Sequence, residues 1–178
     1  MGSGEAVSAA EKGTAFHLFM EKLPLDRRMD LSDLESFRTE LTQKGVLSAD
    51  MAETLDLETV RSFLDSSYGK ELLRASEIRR ELSFVGAFPA EELFEDAPGD
   101  RRSVMLQGAI DLIYCRENGE WVLMDYKTND LRRCTAGDFL AKYGRQMDLY
   151  TAALRKIYGI EVTERVFFLT KTKEFIGY

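Results

Sequence analysis

Two stretches of the chain decide how it folds: Met105-Leu-Gln-Gly-Ala-Ile-Asp-Leu-Ile-Tyr114 and Trp121-Val-Leu-Met-Asp-Tyr-Lys-Thr128. Both are rich in Ile, Leu and Val and predict buried strands, and Glu117-Asn118-Gly119 between them predicts a hairpin turn. Each strand carries one aspartate, Asp111 in the first and Asp125 in the second. Because a buried charge needs a partner or a metal ion, the two aspartates mark the candidate site.

The length of the turn decides whether these charges meet. A two-residue loop would place Asp111 opposite Tyr126, and Asp125 would then face the other side of the sheet. A three-residue loop with Gly119 in the left-handed conformation places Asp111 opposite Asp125, and Lys127 then lies on the same face. We predict the three-residue loop, or a bulge with the same effect, because this register gathers the three charges.

The composition bounds the function. The chain has 178 residues, 44% of them hydrophobic, which predicts one core, and its net charge of −7 repels nucleic acid overall. DNA contact would therefore depend on local basic clusters, a bound metal or neighbouring domains. Cys115 and Cys134 form no CxxC pair, so neither a zinc site nor a disulfide framework is indicated. We therefore expect a reduced, cytoplasmic protein, and with no apolar run of about 18 residues we expect no membrane segment.

The order of elements predicts an α/β fold: a mixed central β-sheet flanked by helices on both faces, with a helical insert at residues 25–76. Ser32 is predicted to cap the first helix of the insert, and one long helix is predicted from Leu57 through Leu73. Residues 1–178 are expected to form a single domain cut from a larger protein, and residues 1–4 have the composition of an appended tail. The other predicted elements are a helix at 5–23, a strand at 78–88, a charged loop at 91–102, a helix after a polar segment at 129–137 that stops at Gly159, a strand at 162–170 and an edge strand at 175–178.

The two aspartates and the lysine suit phosphate chemistry. Carboxylate oxygens are hard ligands of the kind that Mg²⁺ and Mn²⁺ prefer. Lys127 could hold or deprotonate an attacking water, or stabilise charge that develops on a phosphate. The alternative is a buried ion pair between Asp125 and Lys127, with Asp111 capping a backbone group. The residues alone leave both interpretations open.

The blocks Gly108-x-Ile110-Asp111 and Asp125-Tyr126-Lys127-Thr128 resemble the core signature of the RecB-type nucleases in the PD-(D/E)XK superfamily, which have a restriction-endonuclease-like core. More narrowly, the chain resembles the C-terminal nuclease domains of the AddA (RexA) helicase–nuclease subunits, in which such an insert precedes the Arg-Glu strand. Two cysteines are too few for the four-cysteine iron–sulfur cluster of other relatives. Three further blocks stand in the family's order: Gly13-x-x-x-His17-x-x-x-Glu21, Arg80-Glu81-x-x-Phe84 and Gln146-x-x-x-Tyr150.

The resemblance implies a role for each of these residues. Glu81 would orient a metal-bound water or position His17, although it could also be an ordinary exposed strand residue. Glu21 could hold the His17 ring, or it could be a solvated helix residue. The implied metal ligands are His17, Asp111, Asp125 and the main-chain carbonyl of Tyr126, and the implied catalytic residues are Asp111, Asp125, Lys127 and Glu81. The candidate substrate-binding residues are Gln146 and Tyr150 from the family block, and Arg132, Arg133 and Arg145 from the cluster of basic residues that follows the hairpin.

The resemblance also implies the activity: a Mg²⁺-dependent DNA nuclease, with Mn²⁺ as a substitute. We expect an exonuclease that cuts single strands generated by a linked helicase in bacterial double-strand-break repair and recombination. Its expected partners are DNA, helicase domains of the same polypeptide and a second helicase–nuclease subunit. The alternatives are a free-standing exonuclease of the same superfamily and a nuclease-like scaffold without catalysis.

Overall fold

The computed structural model describes residues 8–94, 96–128 and 135–178. Its last long helix continues into a π-helical turn at Leu154–Tyr158 and ends at Gly159, whose φ is +67°. The helices are α1 (Ala9–Lys22), α2 (Leu31–Gln43), α3 (Ala49–Glu53), α4 (Leu57–Asp65), α5 (Ser67–Leu72), α6 (Ala90–Leu93) and α7 (Ala136–Ala153), and the strands are β1 (Glu77–Pro89), β2 (Ser103–Cys115), β3 (Trp121–Lys127), β4 (Val162–Leu169) and β5 (Glu174–Gly177).

Within the described residues the strands form one five-stranded sheet in the order β1-β2-β3-β4-β5. Strands β3 and β4 are parallel, and the other neighbours are antiparallel. One core joins helices α1 to α5 to one face of the sheet, and a second core joins α7 to the other face. The prediction of a mixed sheet flanked by helices on both faces is confirmed.

The β2–β3 turn has the predicted three-residue form. Gly119 has a φ of +88°, which an L-residue rarely adopts, and the amide of Arg116 donates to the carbonyl of Glu120 at 2.8 Å. The paired residues of the two strands keep this register throughout. The pair nearest the candidate site is Leu112 with Met124. One residue further along each strand, the same register places Asp111 opposite Asp125, so the predicted register is confirmed.

In strands β1 and β2 the alternation of side chains between the two faces of the sheet reverses at the candidate site. Ile110 and Leu112 are two residues apart and should share a face, yet they pack in opposite cores. In β1 the pairs on either side place Glu81 across from Asp111, and Glu81 has a φ of +47°. This reversal leaves Glu81 and Asp111 outside the regular packing of both cores.

Three details of the helical region differ from the prediction. The cap of α2 is Asp30, which forms a reciprocal capping box with Asp33, so the assignment of Ser32 was wrong. The predicted long helix from Leu57 is two helices, because Ser66 ends α4 and caps α5. The charged loop after β1 begins with the short helix α6. None of the helices in the described part of the chain is long and apolar enough to cross a membrane.

Arg116, which follows β2 at the end of the sheet away from the candidate site, links this strand to α5 and β4. Arg116 contacts Glu71 of α5 at 2.8 Å and Glu164 of β4 at 2.5 Å. We expect Arg116→Ala to lower the free energy of unfolding by about 1–2 kcal/mol, a value discounted because both glutamates are partly solvated. Urea denaturation measures the change. The exposed pair Arg155–Glu161 has the same 2.8 Å separation, and Arg155→Ala should leave the midpoint near that of the wild type. Equal shifts in the two variants would contradict a structural role for Arg116.

Candidate active site

Asp111 is the central residue of the site. Its side chain is buried at the position where the alternation of side chains along β2 reverses. Its Oδ2 accepts a hydrogen bond from the amide of Tyr126 at 2.7 Å. This bond fixes the carboxylate between β2 and β3 at the point where the ladder opens. Oδ1 lies 3.3 Å from Nδ1 of His17. Asp111 therefore links the hairpin to helix α1.

Helix α1 delivers His17 to the sheet. Its neighbours Phe16 and Phe19 are buried in the core, and the ring of Phe16 packs edge-on against Tyr126 at 5.6 Å between centroids. Arg80 of β1 donates to the carbonyls of Met20 and Leu23 at 3.0 and 2.6 Å, so it holds the C-terminal end of the helix. No such role was predicted for Arg80; the signal was a charged residue at an inward position of a strand.

Glu81 joins the same cluster from β1. Its Oε1 lies 3.5 Å from His17 Nδ1, and ligand atoms of His17, Glu81 and Asp111 all lie within 4.8 Å of one another. The side chain is 29% exposed, so Glu81 lies at the mouth of the site. A non-glycine residue at positive φ costs free energy, and such strain is concentrated at functional sites.

This strain predicts a gain in stability when Glu81 is replaced. We expect Glu81→Gly to raise the free energy of unfolding by about 0.5–1 kcal/mol and to lower cleavage, because glycine adopts this φ without a clash. Glu81→Gln keeps the strain but removes the charge, and so separates relief of strain from relief of repulsion. Ser83→Gly, at an exposed position of the same strand, should instead destabilise the protein. Thermal unfolding of the three variants tests this; a loss of stability in Glu81→Gly would contradict it.

Asp125 lies close enough to Asp111 and His17 to interact with their charges, and Lys127, two residues further along β3, contacts α7. Lys127 Nζ lies 2.7 Å from Asp125 Oδ2 and donates to Gln146 Oε1 at 2.7 Å. Gln146 Nε2 in turn donates to the hydroxyl of Tyr150 at 2.7 Å. The ammonium group also lies over the ring of Tyr143, 4.7 Å from its centroid. Lys127 is thus held by a carboxylate, an amide and an aromatic face.

The charges of the site shift one another's pKa values. Burial would lower the pKa of His17, but Asp111, Glu81 and Asp125 outweigh it and raise that pKa to about 9. Burial, and then the charge of Asp111, raises the pKa of Asp125 to about 6, although Lys127 opposes this. Burial and Asp111 also raise the pKa of Glu81. The cluster therefore has an excess of negative charge and favours a cation.

The donor set fits a divalent ion. Asp125 is buried, and its Oδ2 lies 2.7 Å from the ammonium group of Lys127. One lysine does not balance the three acidic side chains of Asp111, Asp125 and Glu81, and a metal ion would compensate their buried negative charge. Asp111, Asp125 and Glu81 offer hard oxygens suited to Mg²⁺, and the nitrogen of His17 suits Mn²⁺ better.

Other candidate residues make different contacts. Glu21 lines the same cavity as His17 and Glu81, but it pairs with Lys22 at 2.6 Å, while the Nδ1 of His17 faces Asp111 and Glu81. Of the two interpretations of Glu21, the structure therefore favours the ordinary helix residue. Arg145 is exposed on α7 and lies near Tyr178, away from the helix face that carries Gln146. The remaining two candidates, Arg132 and Arg133, lie outside the described residues.

The chain is similar in sequence to known proteins. The chain is 35% identical to an ATP-dependent helicase/nuclease subunit of Geobacillus thermodenitrificans over 168 residues, which cover 90% of this chain and 13% of that protein. It is 36% identical to the protein of the same name from Geobacillus kaustophilus, with 90% and 13% covered, and 29% identical to that from Thermoanaerobacter sp., with 93% and 14% covered. The chain thus spans 13–14% of the length of these relatives.

The family comparison covers the whole arrangement described above. The model of the PD-(D/E)XK nuclease superfamily matches residues 2–175, from before α1 to within β5, so it includes α1, the strands that carry the acidic residues and α7. The five-stranded mixed sheet flanked by helices agrees with that fold. The chain belongs to the PD-(D/E)XK nuclease superfamily.

Proposed function

We propose that this nuclease domain hydrolyses phosphodiester bonds of DNA with Mg²⁺ or Mn²⁺ held by Asp111, Asp125, His17 and the main-chain carbonyl of Tyr126. Glu81 lies beside these ligands and would orient a water molecule or His17. When bound, the ion would polarise the phosphate and lower the pKa of an attacking water. The side chains of the protein would bind the ion and hold Lys127 in position.

One observation carries the proposal: ligand atoms of His17, Glu81 and Asp111 all lie within 4.8 Å of one another, beside the buried Asp125. The rival interpretation of a simple structural ion pair explains two contacts, that of Lys127 with Asp125 and that of Asp111 with the amide of Tyr126. It does not explain why a third carboxylate and a histidine should converge on Asp111. Like charges brought together in a buried place are destabilising unless they bind a cation.

Lys127 is placed to act on the phosphate or the water. The Oε1 of Gln146 accepts a hydrogen bond from the ammonium group of Lys127, and the Tyr143 ring lies against that group, so its position is fixed before substrate binds. A preorganised positive charge stabilises the negative charge that develops on a phosphate during hydrolysis. Gln146 and Tyr150 would then act through Lys127 or touch the strand directly.

The wider setting is also proposed. The relatives are named helicase/nuclease subunits, and this chain spans a small part of their length. We infer that residues 1–178 are one nuclease domain of such a polypeptide, with the insert at residues 25–76. We also infer that it removes single strands produced by linked helicase domains, with a second subunit, during DNA repair and recombination in the bacterial cytoplasm. Tethering to a helicase would raise the local concentration of the strand and offset the chain's net charge of −7.

A cleavage assay tests the proposal. Labelled single- and double-stranded DNA would be incubated with Mg²⁺, Mn²⁺ or a chelator and either the wild-type chain or Asp125→Ala. We expect cleavage by the wild type only with metal, and a loss of at least about a thousandfold in the variant. Equal cleavage by both chains, or cleavage in the chelator, would contradict the proposal. Asp148→Ala is the matched control, because Asp148 pairs with Arg165 outside the site.

A further inference from the structure

A second cavity adjoins the site. It has a volume of about 350 Å³ and lies between the N-terminal half of α1, the link from α3 to α4, and the residues that follow β3 and β4. The cavity that holds His17 and Glu81 has a volume of about 600 Å³, and the two share Ala9 and Thr128 as walls. A ligand could therefore pass from one to the other without leaving the surface of α1.

The two cavities meet close to the end of strand β3, which carries Asp125 and Lys127. Thr128 follows Lys127 directly, and α1 approaches it at Gly13, where a Cβ atom would lie 3.0 Å from the Thr128 hydroxyl oxygen. A larger residue at position 13 would push the helix away and separate the walls. Thr128 lines both cavities, and its hydroxyl is of the kind that forms hydrogen bonds to phosphates.

The lining of the second cavity suits a nucleotide. Its apolar part includes Phe16 and Leu55, both buried against the core, and its polar part includes threonine hydroxyls. Lys12 of α1 and Lys171, just after β4, line it from different elements and are exposed. Neither lysine forms an ion pair with another residue of the described chain. An acidic neighbour, Asp56, is already engaged as the cap of α4, accepting from Thr59.

We propose that this cavity binds a nucleotide of the DNA strand next to the cleaved bond, with Lys12 and Lys171 contacting its backbone phosphates. The inference rests on the proposed function, since it takes the cavity of His17 and Glu81 as the place of cleavage. It gives the helical insert a role beyond support, because the α3–α4 link forms one wall. A strand held on both sides of Thr128 would present its phosphate to Lys127 in a fixed direction, and orientation of this kind raises the rate of reaction.

Two variants test the cavity in different ways. Lys12→Ala/Lys171→Ala removes the charges, and Thr54→Trp fills the cavity at the α3–α4 link without changing charge. The control is Lys44→Ala/Lys70→Ala, which removes two exposed lysines elsewhere in the insert. Each chain would be checked for folding by circular dichroism. Turnover would be measured on a 12-nucleotide oligo(dT) and on bis(p-nitrophenyl) phosphate, which is too small to reach the second cavity from the first.

For both cavity variants we expect kcat/KM for oligo(dT), relative to that for bis(p-nitrophenyl) phosphate, to fall about tenfold, mainly through KM. The control should change this ratio by less than about twofold. A ratio unchanged in both cavity variants would overturn the proposal. So would a fall in the lysine variant without one in Thr54→Trp, since the lysines would then act as general surface charge outside the cavity.

Binding separates failure of this inference from failure of the proposed function. Anisotropy of labelled oligo(dT) in chelator needs no cleavage. Loss of two phosphate contacts should reduce the slope of log Kd against log salt by about 1.4, because each contact contributes about 0.7 for a single strand. If the wild type cleaves neither substrate, the proposed function fails, and this slope still decides the cavity: an unchanged slope in Lys12→Ala/Lys171→Ala overturns it.

Discussion

Lys127→Ala is expected to lower kcat for DNA cleavage by about a hundredfold to ten-thousandfold, with little change in KM. The reason is the position of the ammonium group, which lies 2.7 Å from Asp125 and is held by Gln146 and by the ring of Tyr143. A charge so fixed contributes to the transition state more than to binding, because the strand has other contacts. Steady-state kinetics with saturating Mg²⁺ measure the effect.

The control for this variant is a lysine in a similar aromatic contact. Lys142 also lies over the ring of Tyr143, 5.1 Å from its centroid, but it is exposed and makes no contact with Gln146. Lys142→Ala should lower kcat less than about threefold. If the two variants lose the same activity, Lys127 contributes only general positive charge and its assigned role is wrong.

Asp111→Asn is expected to separate folding from metal binding. Asparagine keeps an oxygen that can accept from the amide of Tyr126, so the hairpin should stay intact, but it removes a charged ligand. We expect the Kd for Mn²⁺ to rise at least about a hundredfold and cleavage to fall at least about a thousandfold. The melting temperature without metal should stay near that of the wild type, because the variant also relieves the repulsion that raises the pKa of Asp125.

Asp111→Ala provides the comparison. It removes the acceptor as well as the charge and leaves the buried amide of Tyr126 without its hydrogen bond. We expect it to lose about 1–3 kcal/mol of stability in addition to activity. Metal binding by Asp111→Asn as tight as that of the wild type would show that Asp111 has only the structural role of capping the backbone.

The hairpin could be predicted from the sequence because its determinants are local. Gly119 permits the left-handed conformation that a three-residue turn needs, and the turn alone fixes the register of Asp111 and Asp125. The same reasoning explains Gly159, which ends the helical segment after α7. In both cases one residue type determines the backbone without help from distant contacts.

The break in the helix predicted from Leu57 to Leu73 is also local, but the regular apolar spacing hides it. The chain turns at Ser66, which caps α5, and Gly69 packs against the backbone of Phe63 and Leu64, where a Cβ atom would lie 2.3–2.6 Å away. Other features depend on tertiary contacts and were not predictable in this way. The positive φ of Glu81 depends on the reversal of two paired strands, which no local pattern records.

The partners of the site residues show the same division. The family blocks implied that His17, Asp111 and Glu81 belong to one site, and helical spacing offered Glu21 as an alternative partner of the histidine. The structure places Asp111 and Glu81 beside His17, 94 and 64 residues along the chain. These contacts arise only when α1 packs on the sheet, an arrangement in which Arg80 holds the end of the helix. The residues of the site could thus be predicted from the sequence, whereas their contacts with one another could be seen only in the folded structure.

We propose that the carboxylates of Asp111 and Asp125 and the imidazole of His17 together bind one divalent metal ion. The most direct test is an anomalous diffraction measurement on crystals of the chain soaked in Mn²⁺. We predict an anomalous peak bounded by these three side chains and lost in Asp111→Asn crystals. Saturating Mn²⁺ with no peak at this position, or a peak retained in Asp111→Asn, would contradict the claim.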